Sequence, residues 1–179
     1  MTRTGKFVTG FGLGAALAAG GLLLLSNDRT ARAEDVVVGG GRTAATTVAA
    51  RGNGETITVY RTATCGCCKA WEDHMRQAGY TVESVELAQS DLDAVKNERG
   101  VPGPLRSCHL GVVAGYEIEG HVPAEDVARL LAERPAIAGL AVPGMPMGSP
   151  GMEVPGRQPQ PFDVFAYTES GDTEVWASR

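Results

Sequence analysis

The fold of this chain is decided by residues 56–75, which read TITVYRTATCGCCKAWEDHM. The alternating, β-branched run at the start of this stretch, Thr56–Tyr60, predicts a β-strand. Further on, Cys68, Trp71 and Met75 follow one another at the intervals i, i+3 and i+7, which predicts a helix with one buried face. A strand therefore leads directly into a helix, and three cysteines occupy the turn that joins them.

The remaining periodic segments extend this unit into a layered α/β fold. They predict a strand, a helix, two strands with no room for a helix between them, and a last helix, over residues 80–87, 90–99, 108–114, 116–119 and 123–134. The complete order is strand, helix, strand, helix, strand, strand, helix. That is the order of a thioredoxin-like mixed sheet flanked by helices, with its first two strands parallel and its last two forming a hairpin.

The first 33 residues have the composition of an export signal. Arg3 and Lys6 form a positive segment, Phe7–Leu25 is uncharged and apolar, and an A-x-A cleavage site ends at Ala33. We predict that residues 1–33 are a cleaved signal peptide and that the protein is periplasmic. An uncleaved membrane anchor is the alternative, because the apolar run is about long enough to span a bilayer.

Three further segments follow the signal. Residues 34–54 are rich in Gly, Ala and Thr and predict a flexible linker, and residues 55–135 hold the thioredoxin-like core. Residues 136–179 form a C-terminal extension that we expect to pack near the cysteines. Its first part, residues 136–161, is dense in Gly, Pro and Met and predicts no regular element, whereas residues 162–177 predict a hairpin around a Ser-Gly-Asp turn.

The cysteines at the strand–helix turn carry the chemistry. Cys65 and Cys68 have the spacing of a Cys-x-x-Cys redox pair, and Cys67 adds a third thiol between them. A helix N-terminus favours thiolates, but its dipole corresponds to only about half a charge and cannot neutralise three of them. Either two of the cysteines form a disulfide, or a soft cation such as copper(I) or zinc holds all three as thiolates.

Residues farther along the chain are candidates to complete such a site. Cys108 stands where the third core strand is predicted to begin, which in this fold faces the Cys-x-x-Cys turn, so we predict a set of four sulfurs. His109 is a candidate ligand only if the backbone is irregular there, because adjacent side chains of a strand point to opposite faces. Met145 and Met152 are candidate thioether ligands for copper(I), and their loop is a candidate lid over the site.

Other residues of the same types receive weaker assignments. The sequence gives Met147 no definite role beside that of packing an irregular loop. His121 shortly precedes Pro123, which favours a part in the turn into the last helix over a part in metal binding. His74 falls on the side of the first helix away from its buried face, and we expect it to be solvated.

At these residues the chain resembles the CopG-type proteins, small exported proteins associated with copper resistance in Gram-negative bacteria and marked by a Cys-x-Cys-Cys motif. The matching segments, in chain order, are Thr64–Lys69, Ser107–His109, Tyr116–Pro123, Gly139–Pro146 and Gly151–Glu153. The resemblance spans about residues 55–177. It implies a thioredoxin-like fold, copper binding through the cysteines and a C-terminal extension that contributes to the site.

We therefore predict a periplasmic copper(I)-binding protein that serves copper resistance or homeostasis. Its ligands would be Cys65, Cys67, Cys68 and Cys108, and bridging thiolates would allow the site to hold more than one copper ion. Copper redox activity is a further hypothesis, and enzymatic turnover is left open. The expected partners are copper ions and other periplasmic copper-handling proteins, and the chain is expected to be a monomer.

Two other functions remain open at this point. One is a thiol–disulfide oxidoreductase that uses Cys65 and Cys68, although ordinary thioredoxins carry a cis-proline where this chain has Ser107–His109. The other is an interaction module whose cysteines form disulfides. Nucleic-acid binding has no support, because the formal net charge is -5 and no basic stripe is present.

Overall fold

The sheet starts from the strand–helix–strand unit that the sequence predicts. The computed structural model describes residues 52–179, in which β1 (Thr56–Thr62) leads into α1 (Gly66–Gln77) and then into β2 (Thr81–Leu87). β1 and β2 pair in parallel along their whole length. α2 (Gln89–Glu98) follows, so the first half of the fold has the predicted elements in the predicted order.

The second half of the core is a hairpin followed by a helix. After a short 3₁₀ turn, β3 (Leu110–Val113) and β4 (Tyr116–Gly120) pair in antiparallel fashion, and β3 also lies antiparallel to β1. α3 (Ala124–Glu133) comes next, with Pro123 as its N-cap. The prediction of a mixed sheet flanked by helices is therefore confirmed.

The C-terminal extension adds three strands to this sheet. β5 (Gly139–Val142) lies parallel to β4, and β6 (Asp163–Tyr167) and β7 (Thr173–Ser178) continue the sheet in antiparallel fashion. Within residues 52–179 the sheet has seven strands in the order β2-β1-β3-β4-β5-β6-β7. The prediction of no regular element over residues 136–161 is wrong at β5. All four residues of this strand are buried, so it has none of the alternation that marks a half-exposed strand.

Helix α1 packs on the sheet through the face that its spacing predicts. Cys68, Trp71 and Met75 are all fully buried, and Trp71 and Met75 meet sheet residues such as Ile57 and Ile118 in one apolar core. Burying a side chain of this size stabilises a fold by about 1.5–3 kcal/mol. Since the first turn of α1 carries the cysteines, this packing also fixes where their sulfur atoms lie.

The predicted signal peptide lies outside the described residues, and so does the predicted linker up to residue 51. The end of that linker is attached to the domain, because the backbone N–H groups of Gly52 and Gly54 donate to the carbonyls of Ala78 and Gly79. Within residues 52–179, no helix combines the length and the apolar character needed to cross a membrane.

Candidate metal centre

The first turn of α1 holds three sulfur atoms close together. Cys65 is the N-cap of the helix, and its Sγ accepts a hydrogen bond from the Cys68 backbone N–H at 3.3 Å. Cys65 and Cys68 form a disulfide, with their Cα atoms 5.3 Å apart. Cys67 remains a free thiol between them. The structure thus shows the oxidised form of the Cys-x-x-Cys pair.

Cys108, which lies just before β3, is close to this turn. Its Sγ lies 3.8 Å from that of Cys67, which in turn lies 3.6 Å from that of Cys65. All four sulfur atoms lie within 4.8 Å of one another. The four cysteines named from the sequence are therefore adjacent in space, although two of them are joined in the disulfide.

A second group of donor atoms shares Cys108. The Cys108 Sγ lies 3.1 Å from His121 Nε2 and 3.4 Å from His109 Nδ1. These three side chains also bring their ligand atoms within 4.8 Å of one another, and both imidazoles are fully buried. Cys108 therefore links a set of sulfur atoms to a pair of ring nitrogens.

The tautomer of His121 follows from its other contact. His121 Nδ1 lies 2.8 Å from the backbone carbonyl of Pro150, which can only accept a hydrogen bond. Nδ1 must therefore carry the proton in the neutral ring, which leaves the lone pair of Nε2 facing Cys108. A histidine that donates one ring N–H to a carbonyl and presents the other nitrogen is typical of metal sites.

The local backbone explains why Cys108 and His109 face the same place. Strand β3 begins only at Leu110, so the two residues before it do not follow the alternation of a strand. The irregular backbone that a role for His109 requires is present. The centroid of the His109 ring also lies 4.5 Å from that of Trp71, with the two rings tilted by 43°, and the Trp71 indole N–H donates to the Val122 carbonyl at 2.8 Å.

The role of His121 in this cluster was missed in the sequence, although a signal for it exists. Leu110 pairs with Glu119 in the β3–β4 hairpin. Cys108 lies two residues before Leu110, and His121 lies two residues after Glu119. If the same register continues past the ends of the strands, Cys108 lies opposite His121. Once the two strands are recognised as a hairpin, their register indicates that the histidine and the cysteine lie near one another.

Burial controls protonation in the metal-free centre. Burial, followed by the neighbouring Cys67, raises the pKa of the Cys108 thiol to about 12. Burial also lowers the pKa of His121 and, with the proximity of His121, brings the pKa of His109 well below its ordinary value. At neutral pH the imidazoles are neutral and Cys108 is a thiol, so metal binding there releases the thiol proton.

The loop of the C-terminal extension lies against the first turn of α1. A Cβ added at Gly151 would lie 2.7 Å from both the Cys67 carbonyl oxygen and the Trp71 backbone nitrogen. At the start of the loop, the Gly144 carbonyl accepts a hydrogen bond from the hydroxyl of Ser107, the residue before Cys108. Segment 144–151, which we call the cover loop, thus contacts both sides of the cysteine cluster.

The methionines of this region differ in exposure. Met145 is 53% exposed, whereas Met147 and Met152 are half-buried. The roles of Met145 and Met152 as thioether ligands stay predictions.

The prediction that His74 is solvated is wrong, because the residue is half-buried and its Nε2 accepts a hydrogen bond from the Ala124 backbone N–H at 3.1 Å. This hydrogen bond joins α1 to the start of α3. The prediction failed because a contact between residues so far apart in the chain leaves no signal in the residue spacing of α1.

Together, the fold and the site define an α/β protein of thioredoxin-like type, with a cysteine- and histidine-lined site suited to a soft metal ion. Two solved structures are similar to it. One, "Copper resistance protein copG- Form 1", is 46% identical and covers 69% of this chain and 96% of its own, with a TM-score of 0.65. The other, "Form 2", is 45% identical and covers 70% of this chain and 98% of its own, with the same TM-score of 0.65.

The chain belongs to the CopG family of copper resistance proteins, as the resemblance of its motifs implies. A family model described as "Protein of unknown function, DUF411" matches residues 105–152, which include Cys108, both buried histidines and the cover loop. No curated protein sequence matches the chain.

Proposed function

We propose that this protein binds copper(I) through Cys65, Cys67, Cys68 and Cys108, in the service of copper resistance. One observation carries the proposal, namely the convergence of all four cysteine sulfurs within 4.8 Å at the start of α1. Thiolates are soft ligands that favour copper(I), so the donor set fits this ion. The solved relatives are named copper resistance proteins.

The disulfide determines when the whole set is available. While Cys65 and Cys68 are joined, Cys67 and Cys108 are the free thiols of the cluster. Reduction of the disulfide supplies the other two thiolates. His121 and His109 add nitrogen donors on the Cys108 side, and Met145 and Met152 are proposed thioether ligands from the extension.

The test is a titration of the reduced protein with copper(I) in the absence of oxygen, in competition with a chromophoric chelator. We expect at least one tightly held ion per chain. Cys67→Ser and Cys108→Ser should each weaken binding by about tenfold or more, because each removes a thiolate from the set. Ser90→Ala, at an exposed position of α2, is the control. Copper uptake by both cysteine variants equal to that of the parent would overturn the four-sulfur site.

Copper redox handling is a finer proposal on the same site, with the copper ions as substrates. Two thiols can give two electrons to two copper(II) ions, which yields two copper(I) ions, one disulfide and two released protons. The pair Cys65 and Cys68 supports this step, because it already stands as a disulfide beside two free thiols.

Its test adds copper(II) to the fully reduced protein under nitrogen and counts both products. The balance requires one copper(I) formed for each thiol lost. In Cys65→Ser, which cannot form the Cys65–Cys68 disulfide, the yield should fall. An undiminished yield in that variant would place the electron source elsewhere.

A thiol–disulfide oxidoreductase is the second candidate function, and the same disulfide favours it. This function predicts exchange with dithiol or protein-disulfide substrates in the presence of a metal chelator. It also predicts that Cys108→Ser leaves the exchange rate unchanged, because Cys65 and Cys68 suffice. We place it second because it gives no role to Cys67, Cys108 and His121, which lie together at the same site.

We also propose that the protein acts in the periplasm and meets other copper-handling proteins there. The support is the signal-like composition of residues 1–33. Cell fractionation of a tagged chain, with and without these residues, tests the location. Equal amounts of both forms in the cytoplasm would contradict it.

A further inference from the structure

A buried ion pair lies directly behind Cys108. Lys96 Nζ on α2 lies 2.5 Å from Glu119 Oε1 on β4, and the two side chains are only 2% and 0% exposed. Taking two charges out of water costs free energy that their attraction does not always recover, so a buried pair is weak evidence for stability alone. The hydrogen bonds that this pair makes to the backbone indicate a second role.

Both partners bind the backbone of Ser107, the residue before Cys108. Lys96 Nζ donates to the Ser107 carbonyl at 2.7 Å, and the Ser107 N–H donates to Glu119 Oε1 at 2.5 Å. Ser107 precedes β3, which begins at Leu110, and so lies outside the hydrogen-bonded ladder of the sheet. The ion pair supplies the partners that a neighbouring strand would otherwise provide.

The position of the Cys108 sulfur depends on this attachment. Cys108 follows Ser107 directly and lies two residues before the strand, so its own backbone has no regular element to hold it. Its Sγ must nevertheless reach Cys67 at 3.8 Å and His121 at 3.1 Å. A displacement of about 1 Å is enough to impair a site of this kind.

We propose that Lys96 and Glu119 are positioning residues that hold the Cys108 sulfur against Cys67 and His121. They connect the irregular segment to two rigid elements, α2 and β4, which carry none of the other cysteines. The consequence for copper affinity rests on the proposed function. The placement of the sulfur does not, because it can be measured without metal.

The experiment measures how fast Cys67 and Cys108 join in metal-free protein that keeps the Cys65–Cys68 disulfide. Diamide serves as the oxidant, since it takes up the two hydrogens that the thiols lose, and alkylation with mass spectrometry follows the product. Lys96→Met and the double variant Lys96→Met/Glu119→Leu should react about tenfold more slowly or worse. The double variant leaves no buried charge without its partner, so it tests the proposal even if Lys96→Met does not fold.

Two further variants separate positioning from general stability. Glu119→Gln keeps an oxygen that accepts from Ser107 and from Lys96, and it should retain the rate within about threefold. Asp126→Asn breaks another pair, between Arg179 and the 1%-exposed Asp126 carboxylate, and should react like the parent. A folded double variant that reacts at the parent's rate would overturn the proposal. Equal slowing in Asp126→Asn would do so too, because the effect would then be one of stability.

The copper(I) competition assay on the same variants forms the second arm. We expect affinity to fall in the order in which the oxidation rates fall. If the parent binds no copper, the proposed function fails, and the oxidation rates still decide the positioning role. If the rates fall while copper affinity stays constant, the role as positioning residues for the copper site is refuted.

Discussion

Cys108 Sγ and His121 Nε2 lie 3.1 Å apart at the open end of the β3–β4 hairpin. A sulfur donor atom and a nitrogen donor atom therefore lie just beyond the ends of two adjacent strands, and the Pro150 carbonyl holds the histidine in the tautomer whose lone pair faces the sulfur. A nitrogen donor next to a group of thiolates adds coordination that cysteines alone do not provide.

The first prediction concerns this histidine. In His121→Asn the amide N–H can replace Nδ1 as the donor to the Pro150 carbonyl, but the nitrogen facing Cys108 is lost. We expect copper(I) affinity to fall about tenfold, or about 1.4 kcal/mol, with little change in stability. Competition titration and urea unfolding measure the two effects. His74→Gln is the matched control, and equal affinity in His121→Asn and the parent would show that His121 is not a ligand.

The second prediction concerns the oxidation state of the four cysteines. Protein purified in air and denatured without reductant should show two free thiols, at Cys67 and Cys108, and four after reduction. Alkylation before digestion should place one label on peptide 62–69 and one on the peptide that contains Cys108. A label on Cys65, or no free thiol at all, would contradict the pairing seen in the structure.

The third prediction uses two glycines of the extension that share a positive φ. Gly151 (φ +84°) faces the first turn of α1, whereas a Cβ at Gly156 (φ +77°) would meet nothing within 4 Å. Gly151→Ala should lose about 1–3 kcal/mol more stability than Gly156→Ala, because it adds overpacking to the same backbone strain. Urea unfolding tests this difference.

The same pair tests the contact between the cover loop and the cysteines. If Gly151→Ala lifts the loop off α1, iodoacetamide should modify Cys67 several times faster than in Gly156→Ala. Equal rates in the two variants would mean that the cover loop does not shield this thiol.

The fourth prediction is a pH dependence that arises at His74. Burial lowers the pKa of His74, and its Nε2 must stay unprotonated to accept from the Ala124 N–H. The unfolded chain takes up this proton below about pH 6.5, so the contribution of His74 to stability is complete above that pH and declines as the pH falls.

In His74→Gln the amide oxygen can accept the same hydrogen bond without titrating. Between pH 6.5 and 5, the parent should therefore lose stability more steeply than the variant, by at most about 1.4 kcal/mol per pH unit. Urea unfolding at several pH values measures both slopes. His109 and His121 titrate in both proteins and cancel in the comparison, so parallel profiles would exclude the role of His74.

Local periodicity accounts for the elements that were predicted from the sequence. The helix α1 was predicted because Cys68, Trp71 and Met75 share one face, and all three are fully buried. Strand β5 was missed because its residues are buried on both faces, so its pattern carries no period that separates it from a loop rich in Gly and Pro. The hairpin at the end of the chain was found because a Ser-Gly-Asp turn signal separates two strand-like segments, β6 and β7.

The sequence by itself determined that the cysteines carry the chemistry of this protein, because three thiols within four residues at a helix start cannot all remain there as free thiolates and must either form a disulfide or bind a cation. It also determined the strand–helix unit that presents them. Only the tertiary structure decided which distant groups join them. Gly151 of the cover loop packs against the backbone of Cys67 and Trp71, and a buried pair, Lys96 and Glu119, holds Ser107. These contacts join residues far apart in the chain, and the free energy that forms them comes from the packing of the whole sheet, which no local pattern encodes.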